Sequence, residues 1–210
     1  MDKKHIITVS GKPGSGKSST SDKVAELLSY TRYSAGEQAR KYIRENKITL
    51  ALFNKMAEDD RSIDQAIDEV LRKFREQSDV VIDSRLGFYW IPESFKVYLD
   101  LNIDVATARI YRDIDSNEGR LKSGEVANSM SEVTQHVKNR LENEKRRYRA
   151  LYGVNPYDLS HYDLVIDTAR HSPQTVALTV FDTYKKWLKS ETWKQVISKV
   201  PIGYSYKNEY

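Results

Sequence analysis

The segment Gly11-Lys12-Pro13-Gly14-Ser15-Gly16-Lys17-Ser18 fits the spacing G-x-x-x-x-G-K-S/T of a phosphate-binding loop. Four positions are specified, and at average residue usage an accidental match arises in roughly one 200-residue chain in a hundred. The flanks narrow the reading further. His5-Ile6-Ile7-Thr8-Val9 is a short β-branched run that reads as a buried strand. On the other side, Val24, Leu27 and Leu28 carry helical spacing within 19–28. Strand, glycine-rich loop and helix is the order this chemistry needs. Glycines let backbone N–H groups turn toward one point, and the helix N-terminus adds partial positive charge there. Lys17 then reaches the outer phosphates, and the Ser18 hydroxyl is placed to ligate Mg²⁺.

At 210 residues the chain suits one domain, or one domain with insertions, around a sizeable core. No apolar run approaches the ~18 residues of a membrane span. Met1-Asp2-Lys3-Lys4 leads into the first strand without a cleavable apolar segment, so a cytoplasmic protein is expected. The absence of cysteine excludes disulfides, thiolate metal sites and cysteine nucleophiles, and suits the same compartment. A formal charge of +4 suits a polyanionic partner, either a nucleotide or RNA.

Further along, Thr31-Arg32-Tyr33-Ser34 reads as a short strand, with a helix beginning near Ser34-Ala35-Gly36-Glu37. A polar, helix-rich region covers about 36–77. Within it Ile63, Ile67, Val70, Leu71 and Phe74 form an amphipathic stripe, which leaves Asp64 and Asp68 facing solvent. Val80-Val81-Ile82-Asp83 and Phe95 to Leu99 read as buried strands, and a helix is expected over about 104–114. The stretch from Ser116 to Met130 has no periodicity and reads as a mobile loop. Helical pattern returns from Ser131 to Tyr152. Asp163 to Asp167 reads as the last core strand, and a closing helix spans about 173–189. Trp193, Val196 and Ile197 read as a helical extension, ended by Pro201 and Gly203 and followed by a frayed tail. Short β-branched strands alternating with helices argue for a parallel sheet covered on both faces.

Two constellations beyond the loop carry chemistry. Asp83 ends an apolar strand, which places it at the carboxyl edge where α/β sheets bind ligands. There it supports Mg²⁺ beside the loop serine, and Arg85 projects from the same edge. On a wheel of ~100° per residue with Val133 at zero, Val137, Leu141, Tyr148 and Leu151 span about 0° to 80°. Arg140, Glu144 and Arg147 fall between about −40° and +20°, on or beside that buried face. Lys138, Glu142, Lys145, Arg146 and Arg149 fall on the far side. Three charges on a buried edge pair with one another or face a polar ligand. Arg40, Arg109 and Arg112 add basic groups with no such positional constraint.

Taken together, residues 5–190 resemble the nucleoside monophosphate kinases, and among them the cytidylate kinases, especially their compact archaeal-type branch. Ser34-Ala35-Gly36-Glu37-Gln38-Ala39-Arg40 resembles S-A-G-(D/E)-x-x-R, and Val80 to Gly87 resembles an apolar strand followed by (D/E)-G-R-x-x-G. Arg140-x-x-x-Glu144-x-x-Arg147 resembles R-x-x-x-(D/E)-x-x-R. Asp158-Leu159-Ser160-His161-Tyr162-Asp163-Leu164-Val165-Ile166-Asp167-Thr168 resembles D-L-S-x-Y-D-(L/F)-V-(I/L)-(D/N)-T. The chain departs from the pattern at Ser84, where glycine is usual, at Glu144, where aspartate is commoner, and in the aromatic run Phe88-Tyr89-Trp90.

The resemblance implies a P-loop NTPase fold with a five-stranded parallel sheet, helices on both faces, a helical acceptor-binding insertion over 36–77 and a lid over 115–130. It places the kinase domain in 1–190 and a C-terminal helix and tail in 191–210. It implies transfer of the ATP γ-phosphoryl group to CMP or dCMP with Mg²⁺. ATP is then held by Gly11 to Ser18 and Ser19, with Arg109 and Arg112 at its side. The acceptor is held by Ser34, Gly36, Arg40, Arg85 and Arg140, and the metal by Ser18 and Asp83. Glu144 binds the acceptor ribose or positions Arg140. Lys17, Arg85, Arg140 and Arg147 act on the transferring group, with one arginine among Arg109, Arg112 and Arg120. Small nucleotides are the expected partners, and the chain is expected to be monomeric, with no membrane or nucleic acid. The alternatives are a kinase for another nucleoside monophosphate or small molecule on the same scaffold, or a nucleotide-dependent, RNA-associated regulatory protein.

Overall fold

A computed structural model describes residues 3–60, 62–116 and 129–198. The chain runs β1 (Ile6–Gly11), α1 (Lys17–Leu28), β2 (Thr31–Ser34), α2 (Ala35–Glu45), α3 (Leu50–Asp59), α4 (Ser62–Phe74), β3 (Val80–Asp83) and α5 (Gly87–Trp90). It continues β4 (Phe95–Asp100), α6 (Ile103–Ser116), α7 (Met130–Tyr152), β5 (Leu164–Asp167), α8 (Pro173–Lys189) and β6 (Val196–Ser198). A 3-10 turn, Leu159–His161, precedes β5. The strands form one parallel sheet in the order β2-β3-β1-β4-β5-β6.

Period-two alternation divides the core between the two faces of the sheet. Ile7, Val9, Val81, Phe95, Val97, Leu99, Leu164 and Ile166 pack on one face against α1 and α8, meeting Val24, Val176, Val180 and Tyr184. Ile6, Val80, Ile82, Tyr98 and Val165 point the other way and meet Leu71, Phe88, Tyr148 and Tyr162. Helices α6 and α7 add a smaller cluster of Ile110, Ile114, Val133 and Val137. Helix α8 starts where its sequence allows: the Ser172 hydroxyl accepts from Thr175 N and Pro173 occupies the first turn.

The sheet has six strands where five were expected. The difference is β6, in a segment read as helical. Val196 pairs with Leu164 and Ile197 with Val165 along the open edge of β5. Two β-branched residues suit that pleated edge, and the backbone is held there by local anchors. The Gln195 amide donates to the carbonyls of Leu159 and Tyr162, and Trp193 Nε1 donates to Asp163 O at 3.3 Å. The first helix of the insertion begins at Ala35, within the entry read at Ser34-Ala35-Gly36-Glu37. Of the expected lid, residues 117–128, with Arg120, lie outside the described residues, as does the tail from 199.

A second correction concerns α4. Asp64 and Asp68 are buried, at 5% and 4% exposure, whereas Val70 in the expected apolar stripe is 37% exposed. The buried face runs through Asp64, Asp68 and Leu71, at i, i+4 and i+7. Polar groups on α5 and α7 make this possible. Trp90 Nε1 donates to Asp68 Oδ1 at 2.7 Å, the Tyr152 hydroxyl donates to Asp68 Oδ2, and Arg147 Nε lies 3.1 Å from Asp64 Oδ2. Arg72 stacks over the Trp90 ring at 4.0 Å. Asp68→Ala is expected to destabilise the chain by about 1–3 kcal/mol for each of the two donors it leaves unpaired. A drop in the urea midpoint at constant slope measures this.

Candidate active site

The site is built at the carboxyl edge of the sheet, where β1, β3 and β2 end side by side. Register places Val9 opposite Asp83 and Ser34 opposite Asp83, so the loop after β1 and the ends of β3 and β2 share one edge. The loop requires glycine where it turns. At Gly14 φ is +74°, and a Cβ there would sit 2.9 Å from Ala106 O on α6. Gly14→Ala is expected to cost about 1–2 kcal/mol from the left-handed conformation alone, before that clash. Denaturant titration and ATP affinity would both register it.

Lys17, the first residue of α1, folds back over the loop. Its ammonium donates to Gly11 O and Lys12 O, each at 3.0 Å. Burial pushes its pKa well below the usual lysine value, Arg85 and Arg140 push the same way, and Asp83 and Glu144 oppose them. Lys12 is drawn sideways to Asp100 Oδ1 at 2.7 Å and Leu101 O at 3.1 Å. Pro13 and Ser15 are buried within the loop, and Ser19 is exposed on the first turn of α1. Thr168, after β5, donates its hydroxyl to Ser15 O at 3.2 Å and so braces the loop from behind. Arg109 reaches the same place from α6, donating to Thr168 O at 2.7 Å and Ala169 O at 3.1 Å, while Arg112 is exposed one turn on.

Asp83 Oδ2 accepts from Ser18 Oγ at 2.9 Å and from Ser34 Oγ at 3.3 Å. Ser34 also caps α2 by accepting from Glu37 N at 3.3 Å. Its side chain thus ties the insertion to the metal-type acid. A hydroxyl and a carboxylate meeting at the loop form a hard oxygen donor set of the kind that holds Mg²⁺ with substrate phosphates and waters. Among the described residues no group of three or more His, Asp or Glu is arranged as a self-sufficient metal cage.

Across the edge, Glu144 gathers two arginines. Arg85 Nε donates to its Oε2 at 2.7 Å, and Arg140 Nε donates to its Oε1 at 2.8 Å. The Tyr157 hydroxyl also donates to Oε2. Burial raises the Glu144 pKa, but Arg85 and Arg140 pull harder, and its carboxyl ends well below the ordinary range. The helix face read from the sequence is the observed one: Glu144 is buried, at 8% exposure, while Lys138, Glu142, Arg146 and Arg149 are exposed. Arg147 continues that face but turns to Asp64 and to the Tyr148 hydroxyl, 3.3 Å from Nη2. Arg40 is half-buried on α2, and a Cβ added at Gly36 would lie 3.6 Å from Arg40 Nη1, so the two are neighbours.

Three contributors escaped the sequence reading. Arg32 on β2 stands between α1 and α2, with Nε 3.1 Å from Asp22 Oδ1, Nη1 2.8 Å from Glu37 Oε1 and Nη2 3.8 Å from Asp83 Oδ2. Tyr157 closes the Glu144 cluster, and Asp64 engages Arg147. Arg32 left one trace in the sequence, a charge inside a strand that ends at the site. Tyr157 and Asp64 left none.

The sequence of this chain matches a known group of proteins. Residues 6–170 match the sequence profile of the Cytidylate kinase-like family. The cytidylate kinase of Halobacterium salinarum is 35% identical over 180 residues, covering 84% of this chain and 88% of that protein. That of Methanocella arvoryzae is 33% identical over 177 residues, covering 84% and 94%. The solved shikimate kinase of Acinetobacter baumannii, in complex with shikimate, superposes with a TM-score of 0.57 at 15% identity, covering 90% of this chain and 97% of that one. Shikimate kinase from Aquifex aeolicus superposes at 0.53 with 17% identity, covering 86% and 96%. These two likenesses carry the P-loop kinase fold. On its sequence, this chain belongs to the cytidylate kinase-like family.

Proposed function

We propose that this chain transfers the γ-phosphoryl group of ATP to a pyrimidine nucleoside monophosphate, CMP or dCMP. The observation that carries the reading is the facing of two cationic sites across the sheet edge. Lys17 marks the phosphate loop, and Arg85 and Arg140, both held by Glu144, lie close enough to depress its basicity. A protein that only bound a nucleotide would need the first site alone.

Phosphoryl transfer asks mainly for positioning and charge neutralisation. The loop amides of 12–18 cradle the donor phosphates, and Lys17 leaves the carbonyls of Gly11 and Lys12 for the transferring group. Mg²⁺, held by Ser18 and through water by Asp83, would neutralise charge on the donor phosphate oxygens. Arg85 and Arg140, with Arg40, hold the acceptor phosphate in line. Both oxygens of Glu144 are engaged, which favours its role as the group that positions the two arginines over one as a ribose ligand. Arg109 and Arg112 flank the donor base. On this reading 36–77 is the acceptor-binding insertion and 115–130 the lid, whose closure excludes water. The chain works in the cytoplasm as a monomer, and among the described residues no helix is long and apolar enough to cross a membrane.

The test is an ADP-release assay with ATP, Mg²⁺ and a panel of CMP, dCMP, UMP, AMP, GMP and dTMP. Release dependent on CMP or dCMP is expected. Release that depends on none of them defeats the nucleotide-kinase reading, and a preference for AMP or dTMP defeats the cytidylate part.

A further inference from the structure

Three donors from three elements meet on the Glu144 carboxylate, and the phosphoryl-transfer scheme uses only two of them. Oε1 accepts from Arg140 Nε at 2.8 Å, and Oε2 accepts from Arg85 Nε at 2.7 Å. The third donor is the Tyr157 hydroxyl, which shares Oε2 with Arg85. Arg140 comes from the same helix as Glu144, Arg85 from the turn after β3, and Tyr157 from the loop after α7. Each arginine spends its Nε on the carboxylate, so the edge formed by its two terminal nitrogens is turned away from it. That edge matches the oxygens of a phosphate. The direction of both edges is therefore set by the rotation of one carboxylate.

A carboxylate turns readily about its last side-chain bond, because the torsional wells there are broad. The two arginines are long and can follow it, so they do not fix that angle by themselves. Tyrosine is better suited, as a rigid ring with only two side-chain torsions. Its loop holds it in place. Tyr157 N donates to Asn155 Oδ1 at 3.1 Å, and Asp158 N donates to Asn155 O at 3.1 Å. The buried Tyr162 hydroxyl donates to Pro156 O at 2.6 Å, and the Tyr162 ring packs on Tyr98 of β4 with centroids 4.8 Å apart. The residue next to Tyr157 is thus tied to the core of the sheet. Burial, and after it the Glu144 charge, holds the Tyr157 pKa well above its usual value against the pull of Arg85, so the hydroxyl remains a donor at neutral pH.

We infer that Tyr157 is a positioning residue for phosphoryl transfer: its hydroxyl locks the rotation of the Glu144 carboxylate and so aims the terminal nitrogens of Arg85 and Arg140 at one acceptor phosphate. It acts through Glu144 and needs no contact with the nucleotide. This inference rests on the nucleoside monophosphate kinase reading and adds a residue from outside the α7 helix to its acceptor half.

The experiment measures KM for ATP and for the monophosphate turned over best, in the wild type, Tyr157→Phe, Glu144→Gln and the double variant. Thermal unfolding checks that each has folded. Loss of a hydrogen bond to a charged group is read as about a tenfold change. Tyr157→Phe is therefore expected to raise the acceptor KM about tenfold while the ATP KM stays within about twofold. In Glu144→Gln the amide offers one acceptor oxygen in place of two, so the clamp is already lost. Adding Tyr157→Phe to it should change the acceptor KM by no more than about twofold. A hydroxyl that served only the stability of its own loop would give effects that multiply in the double variant. Multiplying effects, or an unchanged acceptor KM in a folded Tyr157→Phe, overturn the inference. If Tyr157→Phe does not fold, Asn155→Ala decides, because it loosens Tyr157 without removing the hydroxyl. A raised acceptor KM at constant ATP KM then supports the inference, and an unchanged one overturns it. A wild-type chain that phosphorylates no nucleoside monophosphate fails the proposed function itself, and this inference with it. An active wild type whose Tyr157→Phe variant keeps its acceptor KM fails the inference alone.

Discussion

Lys17→Ala is expected to lower kcat by about 10²- to 10³-fold with the fold in place. On the proposed mechanism the lysine is the loop side chain whose charge meets the phosphoryl group as negative charge redistributes, and such a contact is stronger in the transition state than in the ground state. Its resting position explains why stability should hardly change. The ammonium rests on two loop carbonyls, Gly11 O and Lys12 O, and its burial disfavours the charge it carries there. Removing it ends its repulsion with Arg85 and Arg140 together with its attraction to Asp83 and Glu144, so the two changes offset each other. Thermal unfolding of the variant should therefore match the wild type within a few degrees, about the shift of a 1 kcal/mol change. Turnover close to normal would remove Lys17 from the mechanism. A large loss of stability would show that the amine holds the loop together. Lys17→Arg should rescue poorly, because a planar fork does not replace a compact point charge.

Much of this site was legible in the sequence, and what was legible had local causes. The phosphate loop is fixed by residues within eight positions of one another, and Asp83 by ending a four-residue apolar strand. The buried charges of α7 declared themselves because helical spacing locks Arg140 and Glu144 to Val133 and Val137. The misses had distant causes. Asp64 and Asp68 were placed in solvent because an apolar stripe predicts where oily residues go. It says nothing of whether another helix supplies Arg147, Trp90 and Tyr152 to meet a carboxylate. Their burial depends on partners 22 to 84 residues away in sequence. Arg32 was passed over for the same reason, since its partners Asp22, Glu37 and Asp83 lie on three other elements. Strand β6 is three residues long, too short for any period to register, and is decided by the free edge of β5.

Glu144→Ala should be the most damaging substitution to the acceptor half, and it should act on stability and activity together. The carboxylate is the shared partner of Arg85 and Arg140, and the Arg85 side chain is only 13% exposed. Removing it leaves a buried guanidinium uncompensated, a change that costs about 3–5 kcal/mol. Without the clamp the arginines spread, and kcat/KM for the acceptor should fall far more than ATP affinity does. The wild type carries a pH signature of the same contact. Glu144 has a folded pKa below its unfolded value, so its contribution is present in full above the ordinary carboxylate pKa of about 4.3. That contribution is lost as pH falls toward the depressed folded value. Urea midpoints should therefore decline below pH 4.3 more steeply in the wild type than in Glu144→Gln, which has no proton to take up. Parallel curves would mean that the cluster is not held by an ionised Glu144. If Glu144→Gln kept the wild-type KM for the acceptor, the carboxylate would be dispensable for positioning, and Arg85 and Arg140 would owe their placement to their own helix and loop.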